Sequence, residues 1–355
     1  MSGFVVLEVV DIERNTPDSV VVTLASVDGQ PIPFAHGQYV TFRRDVDGVE
    51  LRRNYSICSP VGQGQFRVGI RRVEGGAFST WATSALTVGD HLEALLPQGR
   101  FTHDLDPAAD RQYLLVAGGS GITPVYSIAA SVLAAEPQAD VTLLQVDRSP
   151  TSAMLVDDIE GLRNRYLERF GVWRQFTQEP SPFDLLDGRP TVESLNRSID
   201  QGLLPAQPDW VFVCGPEGLI DAVEATYRNR GLGPDVIRTE RFTGSQPGRA
   251  QQRAPGVVDA SLRPMSCGVA TLHGRSIPFD VYEGDTLLAA IQRVHPGVPF
   301  SCEAGVCSTC RAHLSRGQVT MDATHGLLPG EADQGFVLTC QSHPTTDSVA
   351  VDFDV

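Results

Sequence analysis

Four cysteines in the last part of the chain, Cys302, Cys307, Cys310 and Cys340, are spaced as C-x4-C-x2-C with a distant fourth. That spacing holds plant-type two-iron two-sulfur (2Fe–2S) clusters, in which each iron takes two thiolates and two bridging sulfides. A loop wrapped around such a cluster must turn N–H groups toward sulfur, and Ala304 and Gly305 are small enough to allow it. A structural zinc site uses closely spaced pairs of ligands, whereas Cys340 has no neighbouring partner in sequence. A Rieske centre needs two histidine ligands, and no Cys-x-His pair occurs. The other three cysteines, Cys58, Cys214 and Cys267, are scattered, and the N-terminus lacks a basic export segment. This usage points to a metal site in a reducing, cytoplasmic setting and not to a disulfide framework.

Further segments have the residue types to hold a flat ring and a diphosphate. Arg53-Asn54-Tyr55-Ser56 offers an arginine to clamp a diphosphate, a tyrosine to stack and a hydroxyl to reach a ring nitrogen. Taken alone, the tetrad is equally an ordinary strand with a surface arginine. Gly75 to Thr80 sets glycines and hydroxyls at an expected helix start, where an anion is favoured. The run Gly118 to Pro124 follows a strand and opens a helix, which puts Gly119, Ser120, Gly121, Thr123 and Pro124 where a dinucleotide pyrophosphate would lie. Pro124 stands in place of the last glycine of the generic fingerprint. Cys214-Gly215-Pro216 ends a later strand at the same sheet edge, and from the residues alone Cys214 reads as a buried strand-end thiol.

These residues need scaffolds, and the chain has room for them. Its 355 residues, 41% hydrophobic and 20% charged, suffice for two to three domains. Residues 1–106 carry short β-type runs between turns, the pattern of an antiparallel β-barrel. Residues 107–243 alternate apolar strands with helices expected over 122–135, 154–170 and 217–229, the pattern of an α/β domain with a parallel sheet. Residues 244–263 have linker composition, and 264–355 suit a small α+β domain. The uncharged stretch Tyr113 to Ala135 is long enough for a membrane span but contains Gly118, Gly119, Gly121 and Pro124, which suit a strand, loop and helix better. A net charge of −15 argues against nucleic acid or an anionic membrane as partner. All 28 basic residues are arginine, so Schiff-base and Walker-lysine chemistry are excluded.

In this order the segments resemble the ferredoxin–NADP reductase superfamily across essentially the whole chain. The C-terminal ferredoxin domain, which the resemblance implies to be a β-grasp, narrows it to reductase components of bacterial multicomponent oxygenases. Those serving phenylacetyl-CoA epoxidases come first, with those of steroid and aromatic-ring hydroxylases as the alternative. The resemblance implies that Arg53, Tyr55 and Ser56, with Ile70 and Arg71, hold a flavin, and that Gly76, Ala77, Phe78 and Ser79 hold its phosphates. Pro97-x-Gly99-x-Phe101 implies FAD, with FMN as the alternative. Gly119 to Pro124 and Cys214, Gly215 and Pro216 would hold the nicotinamide nucleotide. Ser56 would bond the flavin edge, and Cys214 and Glu240 would flank the nicotinamide. Arg148 sits where a ribose 2′-phosphate would be met, although Asp147 beside it opposes one; the implied nucleotide is NADPH, with NADH as the alternative.

The activity so implied is hydride transfer from NAD(P)H to the flavin and single-electron transfer through the cluster to a separate oxygenase component, with the linker letting the ferredoxin domain move. A stand-alone flavin diaphorase and an iron–sulfur redox sensor are the rival readings. The chain is not itself a di-iron oxygenase, because none of its eight histidines has a glutamate three residues earlier. Over 264–355 four arginines face ten acidic residues, a net −6 that suits steering toward a basic docking face, or simply solubility.

Overall fold

The computed structural model describes residues 4–46, 49–62, 64–181, 183–242 and 263–355. The expected linker over 244–263 therefore lies outside the described residues, apart from Arg263. The chain divides into two compact units, Gly3–Phe242 and Thr243–Val355.

The first unit opens with six strands: β1 (Phe4–Thr16), β2 (Ser19–Ser26), β3 (Tyr39–Val46), β4 (Val49–Ser56), β5 (Phe66–Arg71) and β6 (His91–Gln98). They pair antiparallel in the order β4-β3-β6-β1-β2-β5, and an Ile57–Val68 bridge draws the two edges together into a barrel. The two-residue period of β2 decides its packing: Val20, Val22 and Leu24 fill the barrel, while Val21 faces the core of the following half. Helix α1 (Ala77–Ser84) adds Phe78 and Ala82 to the barrel core.

Five parallel strands follow, β7 (Gln112–Gly118), β8 (Asp140–Asp147), β9 (Phe170–Phe176), β10 (Trp210–Gly215) and β11 (Ile237–Arg241), in the order β11-β10-β7-β8-β9. Helices α2 (Ile122–Ala135) and α3 (Val156–Arg165) cover one face; α4 (Val192–Asp200) and α5 (Glu217–Asn229) cover the other. The winding reverses between β7 and β10, so the carboxyl ends of these two strands frame the crevice where open α/β sheets bind ligands. The uncharged stretch 113–135 becomes β7 and α2, and among the described residues no helix is long and apolar enough to cross a membrane. The helix expected over 154–170 is shorter, because Leu155 takes a left-handed φ of 58° and the chain re-enters the sheet at Phe170. Helix α4 is absent from the sequence-based expectation, although Thr191 and Ser194 form a capping box at its start.

Barrel and sheet are tied by buried polar contacts. His36 bonds His103 (3.1 Å), His103 bonds Tyr113 (2.8 Å), and Tyr113 donates to Glu136 (2.7 Å), which also accepts from Arg111 (2.9 Å). Burial lowers both imidazoles to about 4, so at neutral pH they serve as uncharged hydrogen-bonding groups. Ser127 Oγ donates to the Ser59 carbonyl at 2.7 Å, and Arg67 pairs with Asp158.

The second unit comprises β12 (Ser266–Leu272), β13 (Arg275–Val281), α6 (Leu287–Val294), β14 (Arg311–Arg316), β15 (Val319–Met321), β16 (Phe336–Leu338), β17 (Ser342–Pro344) and β18 (Ser348–Asp352). Its main sheet runs β13-β12-β18-β14-β16, with β12 and β18 parallel, and β15 pairs with β17. Thr286 caps α6, whose Leu287, Leu288 and Ile291 pack on Phe279, Val281 and Val351. A helix gripped by a mixed sheet is the β-grasp arrangement.

Gly37 shows how closely the barrel meets the segment after Phe101. Its φ is 76°, and a Cβ there would lie 1.9 Å from the Phe101 carbonyl oxygen. Gly37→Ala is expected to cost about 2–4 kcal/mol through strain and displaced backbone. A thermal midpoint equal to that of the wild type would contradict this close approach.

Candidate functional site

Cys302, Cys307 and Cys310 lie between α6 and β14, and Cys340 follows β16. The thiols meet as two hydrogen-bonded pairs, Cys302 with Cys307 and Cys310 with Cys340. Two pairs suit two irons that each take two thiolates, so the donor set fits a 2Fe–2S cluster. Among the described residues no three such side chains are gathered to hold a single metal ion. The loop reaches its shape through left-handed backbone at Glu303 (φ 51°), Gly305 (φ 73°) and Ser308 (φ 59°); for Glu303 and Ser308 that is strain, which survives only where the surroundings dictate it. Donors turn toward sulfur: Ala304 N is 3.4 Å from Cys302 Sγ, and Gln341 Nε2 is 3.5 Å from Cys340 Sγ. Thr309 Oγ1 lies 3.2 Å from Cys307 Sγ. The hydrogen bond from Cys302 lowers Cys307, and the one from Cys310 lowers Cys340. Each pair thus favours one thiolate, the form that ligates metal.

At the crevice between β7 and β10, Gly121 presses on the end of the neighbouring strand. A Cβ on Gly121 would sit 2.2 Å from the Cys214 carbonyl oxygen, so no side chain fits. Cys214 is in register with Glu240 on β11, and Ser56 Oγ at the end of barrel strand β4 is 3.4 Å from Glu240 Oε2. Ser56, Cys214 and Glu240 therefore converge where barrel meets sheet. Cys214 is fully buried, and burial, aided by Glu240, pushes its thiol well above the ordinary range. It is a neutral thiol there, suited to packing and weak hydrogen bonding and not to nucleophilic attack.

On the barrel, Tyr55 is half-buried against Phe42 and Phe78, with ring centres 5.8 and 5.4 Å away. Arg53 Nη1 donates to the Arg52 carbonyl at 2.7 Å, which fixes its guanidinium along β4. Ile70 is fully buried in the barrel core and Phe78 stacks on Phe42, so both support the barrel wall from within. Ser79 Oγ accepts from Val73 N–H (3.0 Å) and donates to the Gly76 carbonyl (3.3 Å), which shapes the turn ahead of α1. That helix starts at Ala77 with no acid in its first turn, a helix N-terminus of the kind that favours an anion. Arg71, expected on the flavin, spans both halves: it lies 3.5 Å from Asp18 of the barrel, donates to the Ser152 carbonyl and lies 3.9 Å from Asp147.

In the nucleotide half, Gly119 and Ser120 are half-exposed, while Thr123 and Pro124 are buried. Thr123 Oγ1 is used by the Ser120 carbonyl (2.9 Å), and its methyl packs against Gly69 of β5. Gly215 is buried and Pro216 exposed at the start of α5. After β8, Arg148 is exposed beside the Ser149 and Thr151 hydroxyls, which lie 3.0 Å apart. Sequence reasoning missed these two hydroxyls, although Ser and Thr next to an arginine are a phosphate-binding signal. Asp147 turns the other way. It is buried toward Arg71, burial raises its carboxyl to about 7 with Arg71 opposing the rise, and among the described residues its Oδ2 has no hydrogen-bond partner.

Comparison with known proteins follows the same three parts. The oxidoreductase FAD-binding domain family matches residues 7–103, the oxidoreductase NAD-binding domain family residues 115–225, and the 2Fe-2S iron-sulfur cluster binding domain family residues 270–345. The chain is similar to the E component of 1,2-phenylacetyl-CoA epoxidase from Escherichia coli (strain K12), 35% identical over 362 residues that cover 100% of this chain and 99% of that protein. It is 28% identical over 360 residues to the 3-ketosteroid-9-alpha-monooxygenase ferredoxin reductase component of Mycobacterium tuberculosis (strain ATCC 25618 / H37Rv), covering 98% and 95% of the two chains. Among solved structures, phthalate dioxygenase reductase shares the fold with a TM-score of 0.60 at 22% identity, over 99% of this chain and 98% of that one.

The buried Asp147 has a measurable consequence. With its pKa raised from 3.8 to about 7, the folded protein keeps a proton that the unfolded chain has released, so this group's contribution falls as pH rises from about 4 to 7. Asp147→Asn removes the titration. Its thermal midpoint, relative to the wild type, is expected to improve steadily across that window. A constant offset between the two pH profiles would contradict the burial of a titrating carboxyl.

Proposed function

We infer the function from kinship: the chain belongs to the family of FAD- and 2Fe–2S-containing reductases that includes the E component of 1,2-phenylacetyl-CoA epoxidase. It is an NAD(P)H-dependent oxidoreductase. When bound, the cofactors supply the chemistry, hydride acceptance at the flavin and single-electron release through the cluster. We propose that the electrons go to a separate oxygenase component in the cytoplasm, first of the phenylacetyl-CoA epoxidase kind and otherwise a steroid or aromatic-ring hydroxylase. The observation that carries this reading is the paired four-thiol centre on the same chain as the Ser56–Cys214–Glu240 convergence. A diaphorase serving small acceptors needs no such one-electron exit.

The side chains bind, orient and exclude water. Glu240 holds the Ser56 hydroxyl at the end of β4, where it would bond the flavin edge. The neutral Cys214 thiol gives the nicotinamide an apolar wall, and the Gly121 approach keeps that wall thin. Arg53 would clamp the flavin diphosphate, with the α1 N–H groups beside it, and Tyr55 would stack on the ring. Gly119 and Ser120 would meet the nucleotide pyrophosphate. Arg148, Ser149 and Thr151 offer a cation and two hydroxyls to a ribose 2′-phosphate, and burial, which raises the Asp147 carboxyl to about 7, weakens the charge that would oppose it, which favours NADPH.

Cys307→Ser tests the wiring. The variant is expected to reduce ferricyanide with NADPH at close to the wild-type rate, yet lose about tenfold or more in turnover coupled to an oxygenase component. Full coupled turnover without the Cys307 thiolate would favour the diaphorase reading.

A further inference from the structure

Between β8 and α3 the chain runs from Arg148 to Leu155, and two of the side chains that fix this loop come from the flavin barrel. The loop's first turn closes on itself: Ser149 N–H donates to Ser152 Oγ at 3.0 Å, and Ser152 Oγ donates to the Ser149 carbonyl at 2.9 Å. Arg71 of β5 holds the Ser152 carbonyl from the barrel side. Gln145 Nε2 donates to the Met154 carbonyl at 3.0 Å, and the Leu155 N–H donates to Asn15 Oδ1 at 2.8 Å.

Two irregularities meet at that last bond. Leu155 is fully buried with φ 58°, a conformation that a leucine keeps only when its neighbours over-determine it. Asn15 stands at a β-bulge: β1 pairs Arg14 with Val20 and Thr16 with Ser19, and the register shifts across Asn15. Bulges re-aim a side chain out of the ladder and are common beside active sites. Here the bulge carries a barrel amide to the left-handed residue that ends the nucleotide loop. Simple docking of the two halves does not require this, since Arg67–Asp158 and Ser127–Ser59 already join them.

We propose that Asn15 is a positioning residue for nucleotide selection: by holding the Leu155 N–H it fixes the loop that presents Arg148, Ser149 and Thr151 to a 2′-phosphate. The flavin barrel thereby sets the nucleotide preference of the neighbouring sheet. The inference rests on the reading of that loop as the 2′-phosphate site. Loosening the loop weakens a contact made equally in the ground state and the transition state, so KM rises while kcat stays.

The test is calorimetric binding of NADP+ and NAD+ to the FAD-loaded wild type, Asn15→Ala and Asn15→Asp, with kcat at saturating NADPH measured beside it. Asn15→Ala is expected to bind NADP+ about tenfold more weakly, the scale of one lost hydrogen bond, with NAD+ binding and kcat nearly unchanged. Asn15→Asp keeps the acceptor oxygen, though it faces Glu13 where the Asn15 amide donates at 3.4 Å, and is expected to recover most of the NADP+ affinity that Asn15→Ala loses. Should the alanine variant fail to fold, Asn15→Ser, too short to reach Leu155, replaces it. A wild type without preference for NADP+ would overturn the phosphate reading and this inference together. A wild-type preference that survives intact in Asn15→Ala, or an equal loss for both nucleotides, would overturn the inference alone.

Discussion

Ser56 and Glu240 are 184 residues apart in the chain and 3.4 Å apart in space. Closing that gap constrains the whole first unit. The barrel must end β4 at the interface, the sheet must place β11 beside β10, and the two halves must dock in one orientation. The docking is secured by groups that would be costly to leave unpaired: the buried His36–His103–Tyr113–Glu136 chain and the Ser127–Ser59 bond. Burial keeps the histidines neutral at pH 7, and because the unfolded chain protonates them near 6.5 while the folded one resists to about 4, this joint loses stability as pH falls through that window.

A second constraint is electrostatic. A chain of net charge −15 that binds two phosphate-bearing cofactors must keep acids out of the phosphate sites. The first turn of α1 holds no acid, and at the end of β8 Asp147 is buried beside Arg71. Arginine supplies every basic side chain, and the half-buried Arg71 shows a guanidinium bracing one element against another.

Much of this was legible in the sequence because the signals are local. The C-x4-C-x2-C run lies within the residues that the 2Fe-2S family matches, and near-continuous apolar runs such as Tyr113 to Ala117 mark strands covered on both faces. What stayed hidden depends on three-dimensional direction. Arg71 follows directly on Ile70 in a flavin-side strand, yet its side chain reaches the other half, which no spacing rule reports. Asp147 beside Arg148 reads as an opposing charge, but Asp147 is buried next to Arg71 while Arg148, just past the end of β8, is exposed. Neither the bulge at Asn15 nor the left-handed Leu155 has a residue-type signature, since both arise from the fit between halves.

The central claim is that electrons enter this chain in pairs at a flavin and leave singly through a thiolate-bound di-iron centre. Anaerobic titration of the purified holoprotein with NADPH, followed by visible absorption and electron paramagnetic resonance, addresses it directly. The account predicts that flavin and iron–sulfur absorption bleach together and that the paramagnetic signal of a reduced 2Fe–2S cluster emerges. A colourless protein, or one holding zinc and no acid-labile sulfide, would contradict it.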